Sequence, residues 1–336
     1  MKRRTLLTSA AAAGALMATR GKSSEAEAAQ GPGGATGGSF SPRALTYCNL
    51  RNGDSLSLGI KQGNKILDVG KAGQAMKVAV PANTHDVILG KNLAGLQKVL
   101  GKPPASAMID ESAAKFGPCV VNPEKILMLG FNYRQHAAET KTPIPKAPVL
   151  FNKYNNALNA HGGVIKLPKS AVKFDYEVEL QCIMGKTAHE VSEAEALDYV
   201  FGYATGNDFS ARDLQFRDGP KGSQFMIGKT SDGFLPIGPY LVGAEVVGDP
   251  QKLQVECRVN GERHQNANTA DMIFSCAQII AYTSTLMTLK PGDLFSTGTP
   301  EGPIIGRPEA QQVWLKPGDK IACSVEKLGE LRFDLT

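Results

Sequence analysis

One stretch limits the fold more than any other. From Lys173 to Met184 polar and apolar residues alternate, which is the period of a half-buried strand. Side chains two apart share a face, so Glu177 and Glu179 point the same way, with Cα atoms about 6.8 Å apart. Two carboxylates aimed together repel each other unless a cation lies between them. The other face, Val178, Leu180, Cys182 and Met184, is apolar and has to be packed. A third carboxylate, Asp208, follows in the segment from Gly202 to Arg212. Three carboxylates with no His or Cys nearby suit a hard ion, Mg²⁺, Mn²⁺ or Ca²⁺. A Glu-x-Glu pair alone more often marks a solvated face, so the rest of the chain has to decide.

The 336 residues exceed one typical domain, and 42% apolar content supports a sizeable core. The net charge of +5 comes from scattered Lys and Arg residues. That pattern fits attraction for small anionic ligands and gives no sign of nucleic-acid binding. Residues 1–28 read as an export signal. Lys2-Arg3-Arg4 precedes an Ala-rich apolar run, Leu6 to Ala18, that is too short to span a bilayer. The paired arginines resemble a twin-arginine signal, which implies a periplasmic mature form free of the membrane. Residues 29–38 read as a Gly-rich flexible linker. Six dispersed cysteines without a C-x-x-C motif give neither a zinc signature nor a disulfide framework, and they read as buried thiols.

Residues 39–120 look like a small N-terminal α/β domain. Short strands fill Ala44 to Val69, helices are expected over 89–100 and 105–115, and Pro118 to Pro123 makes a boundary. A second domain, 121–336, opens with a strand over Lys125 to Gly130. In the segment that follows, His136 and Glu139 are three apart and share a helix face, so the carboxylate can orient the imidazole as a general base. Val149 to Lys153 is a short strand ending on a cation. Ser192 and Glu195 form a capping box expected to start a helix through Phe201. Asn260-Gly261 makes a tight hairpin turn. Met272 to Met287 carries apolar residues at 3-4 spacing, an amphipathic helix read as core. Leu294 to Pro300 is a strand running into a Gly-rich hydroxyl loop, and Lys316 to Asp319 starts a final hairpin.

Taken together, these motifs resemble one family. Asn132-Tyr133-x-x-His136-x-x-Glu139, Asp175-Tyr176-Glu177-Val178-Glu179-Leu180, Asn207-Asp208 through Arg212 and Gln215, Gly228-Lys229-Thr230-x-Asp232 and Thr297-Gly298-Thr299-Pro300 follow the order and spacing of the fumarylacetoacetate hydrolase family. The resemblance implies an α+β, β-rich fold, a mixed β-sandwich roll, and a homodimer. It implies Mg²⁺ or Mn²⁺ held by Glu177, Glu179 and Asp208. It also implies a small anionic 2-oxo or 2,4-dioxo acid as substrate, with Tyr133, Lys153, Arg212, Gln215 and Thr299 at substrate-contacting positions. His136 and Glu139 fall on the family's water-activating dyad, and Lys229 on a position that stabilises the leaving carbanion. Two segments depart from the family pattern. The loop Glu301 to Gly306 replaces a Gly-Val-Gly run, and Lys153-Tyr154 replaces Lys-Pro. The implied reaction is hydrolysis of a C–C bond. Isomerisation, hydration or decarboxylation of 2-oxo dicarboxylic acids is possible on the same scaffold, and an oxo-acid binding protein without turnover is the alternative of a different class.

Overall fold

The computed structural model describes residues 40–219 and 223–336, so the expected export signal (1–28) and linker (29–38) fall outside the described residues. Two sheets carry the fold. The larger has ten strands, in the order Met108–Asp110, Lys65–Asp68, Ser55–Gln62, Thr46–Asn52, Leu241–Gly243, Val200–Asn207, Val178–Met184, Leu294–Ser296, Ile126–Gly130 and Val149–Lys153. The smaller has five, Glu262–Asn268, Gln254–Val259, Lys320–Val325, Glu330–Leu335 and Gly163–Ile165. Pairing is mostly antiparallel. Leu294–Ser296 runs parallel to Ile126–Met128, and Phe333–Leu335 runs parallel to Gly163–Ile165. The fold is therefore strand-rich α+β, as expected. The longest described helix is Cys276–Leu286, opened by a complete Ser275–Gln278 capping box. Among the described residues no helix is long and apolar enough to cross a membrane.

The strands of 39–120 do not form a sheet of their own. Thr46 and Tyr47 pair with Val242 and Leu241, so the first four strands extend the central sheet across the expected boundary. An apolar edge strand left open would invite pairing with another chain, and this junction covers it. The described residues form one compact unit.

Several local expectations change for tertiary reasons. The helix expected over 105–115 is instead a strand, Met108–Asp110, between two 3-10 turns, because Met108 and Ile109 pair with Leu67 and Ile66. The helix expected from Leu89 starts at Leu93, after Gly90 and Asn92 adopt left-handed φ of 74° and 52°. Ser192 Oγ does donate to Glu195 at 2.6 Å, yet only a 3-10 turn, Ala196–Tyr199, follows, because Val200 already enters the central strand. The Asn260-Gly261 turn has positive φ at both residues, as a tight hairpin requires. All six cysteines are buried free thiols.

Candidate active site

Strand register brings the acidic residues together. Val178 pairs with Asn207 and Glu179 with Gly206, so the next residue, Asp208, meets Glu177 and donates its N–H to the Glu177 carbonyl at 2.8 Å. The strand expected to run unbroken from Lys173 is interrupted at Tyr176 and Glu177. Phe174–Asp175 pairs instead with Ser210–Ala211 in a separate ribbon. Both faces of Val178–Met184 are buried, so the alternation marks a polar interior and not a wet surface. One oxygen from each of Glu177, Glu179 and Asp208 lies within 4.8 Å of the others, and all three residues are buried.

The three carboxylates are held differently. Glu177 accepts from the Arg212 guanidinium and from Lys229 Nζ at 2.7 Å. Asp208 accepts from Lys229 at 2.7 Å and lies 2.6 Å from the Lys153 ammonium. Among the described residues Glu179 has only neutral partners, the Ser296 hydroxyl and the Gly298 N–H at 2.8 Å. Gly298 has φ 87°, and a Cβ there would lie 2.8 Å from that of Asn132, so glycine is required twice over. Burial would raise both glutamates. Arg212 and Lys229 overcome it at Glu177 and hold that carboxyl well below the usual range. At Glu179 burial acts together with repulsion from Asp208 and Glu177, which pushes it well above.

A divalent ion among the three oxygens would supply the positive charge Glu179 lacks. The donor set is all hard oxygen, which fits Mg²⁺ or Mn²⁺. Asp175, Glu177, Glu179 and Asp208 face Lys153, Lys229 and Arg212. Four carboxylates against three cations leave −1 when all are charged, and a divalent ion would bring the cluster to about +1. Such a site attracts anions.

The dyad reaches the same cavity from another direction. The Ile126–Gly130 strand ends, Phe131 turns the chain with a left-handed φ of 56°, and the helix Arg134–Glu139 follows. His136 Nδ1 lies 3.2 Å from Glu139 Oε2, and Glu139 also accepts the Gly302 N–H at 3.1 Å. His136, Glu139, Glu177, Glu179 and Lys229 line one cavity of about 840 Å³. Phe131, Phe151 and Phe225 give it an apolar wall; the last two stack at 4.7 Å, and Lys229 Nζ sits 5.4 Å above the Phe151 ring.

Of the expected substrate residues, Arg212, Gln215 and Thr299 line this cavity. Arg212 spans Asp175 (2.9 Å), Glu177 and Gln215 (2.9 Å). Thr299 Oγ1 donates to the Val178 carbonyl at 2.9 Å and accepts from Gln265 at 2.8 Å. Tyr133 and Lys153, expected at substrate-contacting positions, do not line the cavity. Tyr133 is fully buried in the core and its hydroxyl finds no partner among the described residues. Lys153 sits behind Asp208, donating to the carbonyls of Phe209 and Phe234, and burial lowers its pKa to about 8 against the pull of Asp208. Sequence reasoning passed over Asp175, which accepts from Arg212 and from the N–H groups of Ile304 (2.8 Å) and Ile305 (3.1 Å). The signal was present: Asp175 has the same odd-number parity as Glu177 and Glu179.

A family model described as the fumarylacetoacetate (FAA) hydrolase C-terminal domain matches residues 125–336. The chain belongs to the fumarylacetoacetate hydrolase family. A Burkholderia lata protein, whose name carries the broad class hydrolase and no substrate, is 41% identical over 265 residues, 79% of this chain and 92% of its own length. Among solved structures, the fumarylacetoacetate hydrolase of Exiguobacterium antarcticum superimposes with a TM-score of 0.70 at 29% identity, over 87% of this chain and 99% of that one. The 2-hydroxyhepta-2,4-diene-1,7-dioate isomerase of Mycobacterium marinum gives 0.66 at 26% identity, over 87% and 99%. The fumarylpyruvate hydrolase of Pseudomonas aeruginosa, solved with Mn²⁺ and pyruvate, gives 0.58 at 30% identity, over 66% and 97%. The fumarylacetoacetate hydrolase family thus includes both hydrolases and isomerases, and one neighbour contains a divalent metal.

Proposed function

We propose that this protein is a divalent-metal-dependent hydrolase that cleaves a C–C bond in 2,4-dioxo carboxylic acids. One observation carries the reading: the His136–Glu139 pair and the Glu177–Glu179–Asp208 cluster meet at a single cavity, the first two glutamates and His136 lining it directly. An isomerase or a decarboxylase needs the cluster to stabilise an enolate, whereas a hydrolase needs in addition a base for water.

Glu177, Glu179 and Asp208 would hold Mg²⁺ or Mn²⁺, which when bound supplies Lewis-acid polarisation of a 2-oxo acid. His136, oriented by Glu139, takes a proton from the water that attacks the distal carbonyl. Lys229 directs its three ammonium donors at Glu177, Asp208 and Ser210 (2.8 Å), so it must release one of them to protonate a departing carbanion. The apolar wall of Phe131, Phe151 and Phe225 excludes bulk water from the reacting end.

The test is pyruvate release from a panel of acylpyruvates by purified protein with Mg²⁺ or Mn²⁺, and with chelator. His136→Ala should lower the hydrolytic kcat by about 10²–10⁴-fold. Absence of pyruvate across the panel rejects the hydrolase reading. The isomerase relative keeps a second reading in play: double-bond migration that survives His136→Ala would favour it.

A further inference from the structure

Asn207, the residue before Asp208, touches a pair of thiols that the chemistry above does not use. Cys257 and Cys323 are directly opposed on two antiparallel strands of the five-stranded sheet, Gln254–Val259 and Lys320–Val325. Side chains alternate along both strands, so Val255, Cys257 and Val259 face the core together with Ile321, Cys323 and Val325. The even-numbered residues make the ladder: the Asn260 N–H donates to the Lys320 carbonyl and the Glu326 N–H to the Gln254 carbonyl, both at 2.8 Å. The two kinds of pair alternate along an antiparallel ladder, so Cys257 and Cys323 form a non-hydrogen-bonded pair, the kind with Cα atoms about 4.5 Å apart. That spacing lies within the range of about 4.4–6.8 Å that a disulfide spans. The sulfurs are 3.7 Å apart, in the one sulfur–sulfur hydrogen bond among the described residues. Closing to the bonded distance of about 2.0 Å takes roughly 1.7 Å of travel, shared between two side-chain rotations.

Asn207 joins this pair to the acidic cluster. Its Nδ2 donates to Cys323 Sγ at 3.3 Å, and its Oδ1 accepts the Glu177 N–H at 3.3 Å. As a thiol, Cys323 donates to Cys257 and keeps its lone pairs for Asn207. Drawn into a disulfide, its sulfur moves toward Cys257 and away from the amide. A buried N–H without a full partner is costly, so Asn207 shifts and its hold on the Glu177 backbone loosens. Disturbing a group that orients a metal ligand typically changes affinity about 10- to 100-fold.

We propose that Cys257 and Cys323 are an oxidisable dithiol that closes to a cross-strand disulfide by exchange with a low-molecular-weight disulfide, and that the closed form weakens metal binding through Asn207. One cysteine, as its thiolate, attacks the oxidant and expels a first thiol; the other attacks the mixed disulfide and expels the second. The S–S bond of the oxidant and two cysteine S–H bonds are exchanged for the Cys257–Cys323 bond and the S–H bonds of two released thiols. The cysteine sulfurs lose two electrons, the oxidant gains them, and both protons leave with the released thiols. Burial pushes the Cys257 thiol well above its ordinary range, so attack begins while the strands are locally open and the exchange is slow. The effect on metal binding rests on the metal reading of Glu177, Glu179 and Asp208; the cross-link does not.

The test equilibrates the full chain with reduced or oxidised glutathione in sub-denaturing urea, removes the urea, and counts free thiols by alkylation and mass spectrometry. The oxidised sample should lose two of its six thiols and two hydrogens of mass, yield a peptide linking Cys257 to Cys323, and regain both thiols with dithiothreitol. Cys257→Ala and Cys323→Ser should each keep all their remaining thiols. Six free thiols after oxidation, a glutathione adduct that does not close, or a link between other cysteines overturns the site. Calorimetry with Mn²⁺ should show roughly 10-fold weaker binding by the oxidised wild type than by the reduced. Cys257→Ala, which retains the Cys323–Asn207 contact, should bind Mn²⁺ equally after either treatment. Equal affinity in the two wild-type forms overturns the coupling while the cross-link stands. Absence of Mn²⁺ binding in both forms overturns the coupling together with the metal reading, and the thiol count still decides the cross-link.

Discussion

Gly306 packs against the Glu139 carboxylate. A methyl group at this position would overlap the carboxyl carbon and Oε2 and would lie 2.8 Å from Oε1. Ordinary contact needs about 3.5 Å, so Gly306→Ala has to push the carboxylate by roughly 1 Å. Glu139 can yield, because its side chain is 24% exposed. Its 3.2 Å contact with His136 and its 3.1 Å bond from the Gly302 N–H would both be lost. A displacement of about 1 Å in a positioning group can cost roughly 10²-fold in rate, about 2.7 kcal/mol of barrier. Stability should hardly change. Crowding at this half-buried site is offset by the lower chain entropy of unfolded alanine, worth about 0.4–1 kcal/mol, and Gly306 does not occupy the left-handed region. The assay pairs kcat on an acylpyruvate with a thermal unfolding midpoint. A variant with near wild-type kcat would refute the link between the 301–306 loop and the dyad. So would a loss explained entirely by unfolding.

Ser296→Ala removes the hydroxyl that donates to Glu179 and accepts from Gln181 at 2.6 Å, so Mn²⁺ affinity measured by calorimetry should fall at least about 10-fold with the fold intact. Unchanged affinity would separate Glu179 from metal binding. Burial opposes ionisation of Glu111, but hydrogen bonds from Lys61 and Tyr240 hold it below the ordinary carboxylate range. A depressed carboxylate stabilises the fold above its unfolded pKa, about 4.3, and that contribution fades as pH falls through the folded value. Urea unfolding of Glu111→Gln should therefore show a deficit at pH 7 that shrinks below about pH 4; a pH-independent deficit would point to packing. The His136→Ala measurement completes the set.

The chain by itself specified its reactive groups and their local partners. The polar–apolar period points Glu177 and Glu179 the same way, although the strand itself starts only at Val178, and His136 meets Glu139 because helix positions three apart are neighbours. Both relations are short-range and depend only on backbone period. Turn chemistry was equally legible at Asn260-Gly261, where two positive φ angles are needed. Long-range pairing decided the rest. Met108–Asp110 became a strand because the Lys65–Asp68 edge was open to it. Asp208 reaches Glu177 through the register of Val178 against Asn207. The roles of Asp175 and Gly306 come from a loop about 130 residues from Asp175 in sequence folding back over the site. Lys153 and Tyr133 depend on the packing in the same way: Lys153 faces Asp208 and the carbonyls of Phe209 and Phe234, and Tyr133 is buried in the core. Periodicity determines which way a side chain points from its own strand or helix, and only the assembled sheets determine what it then faces.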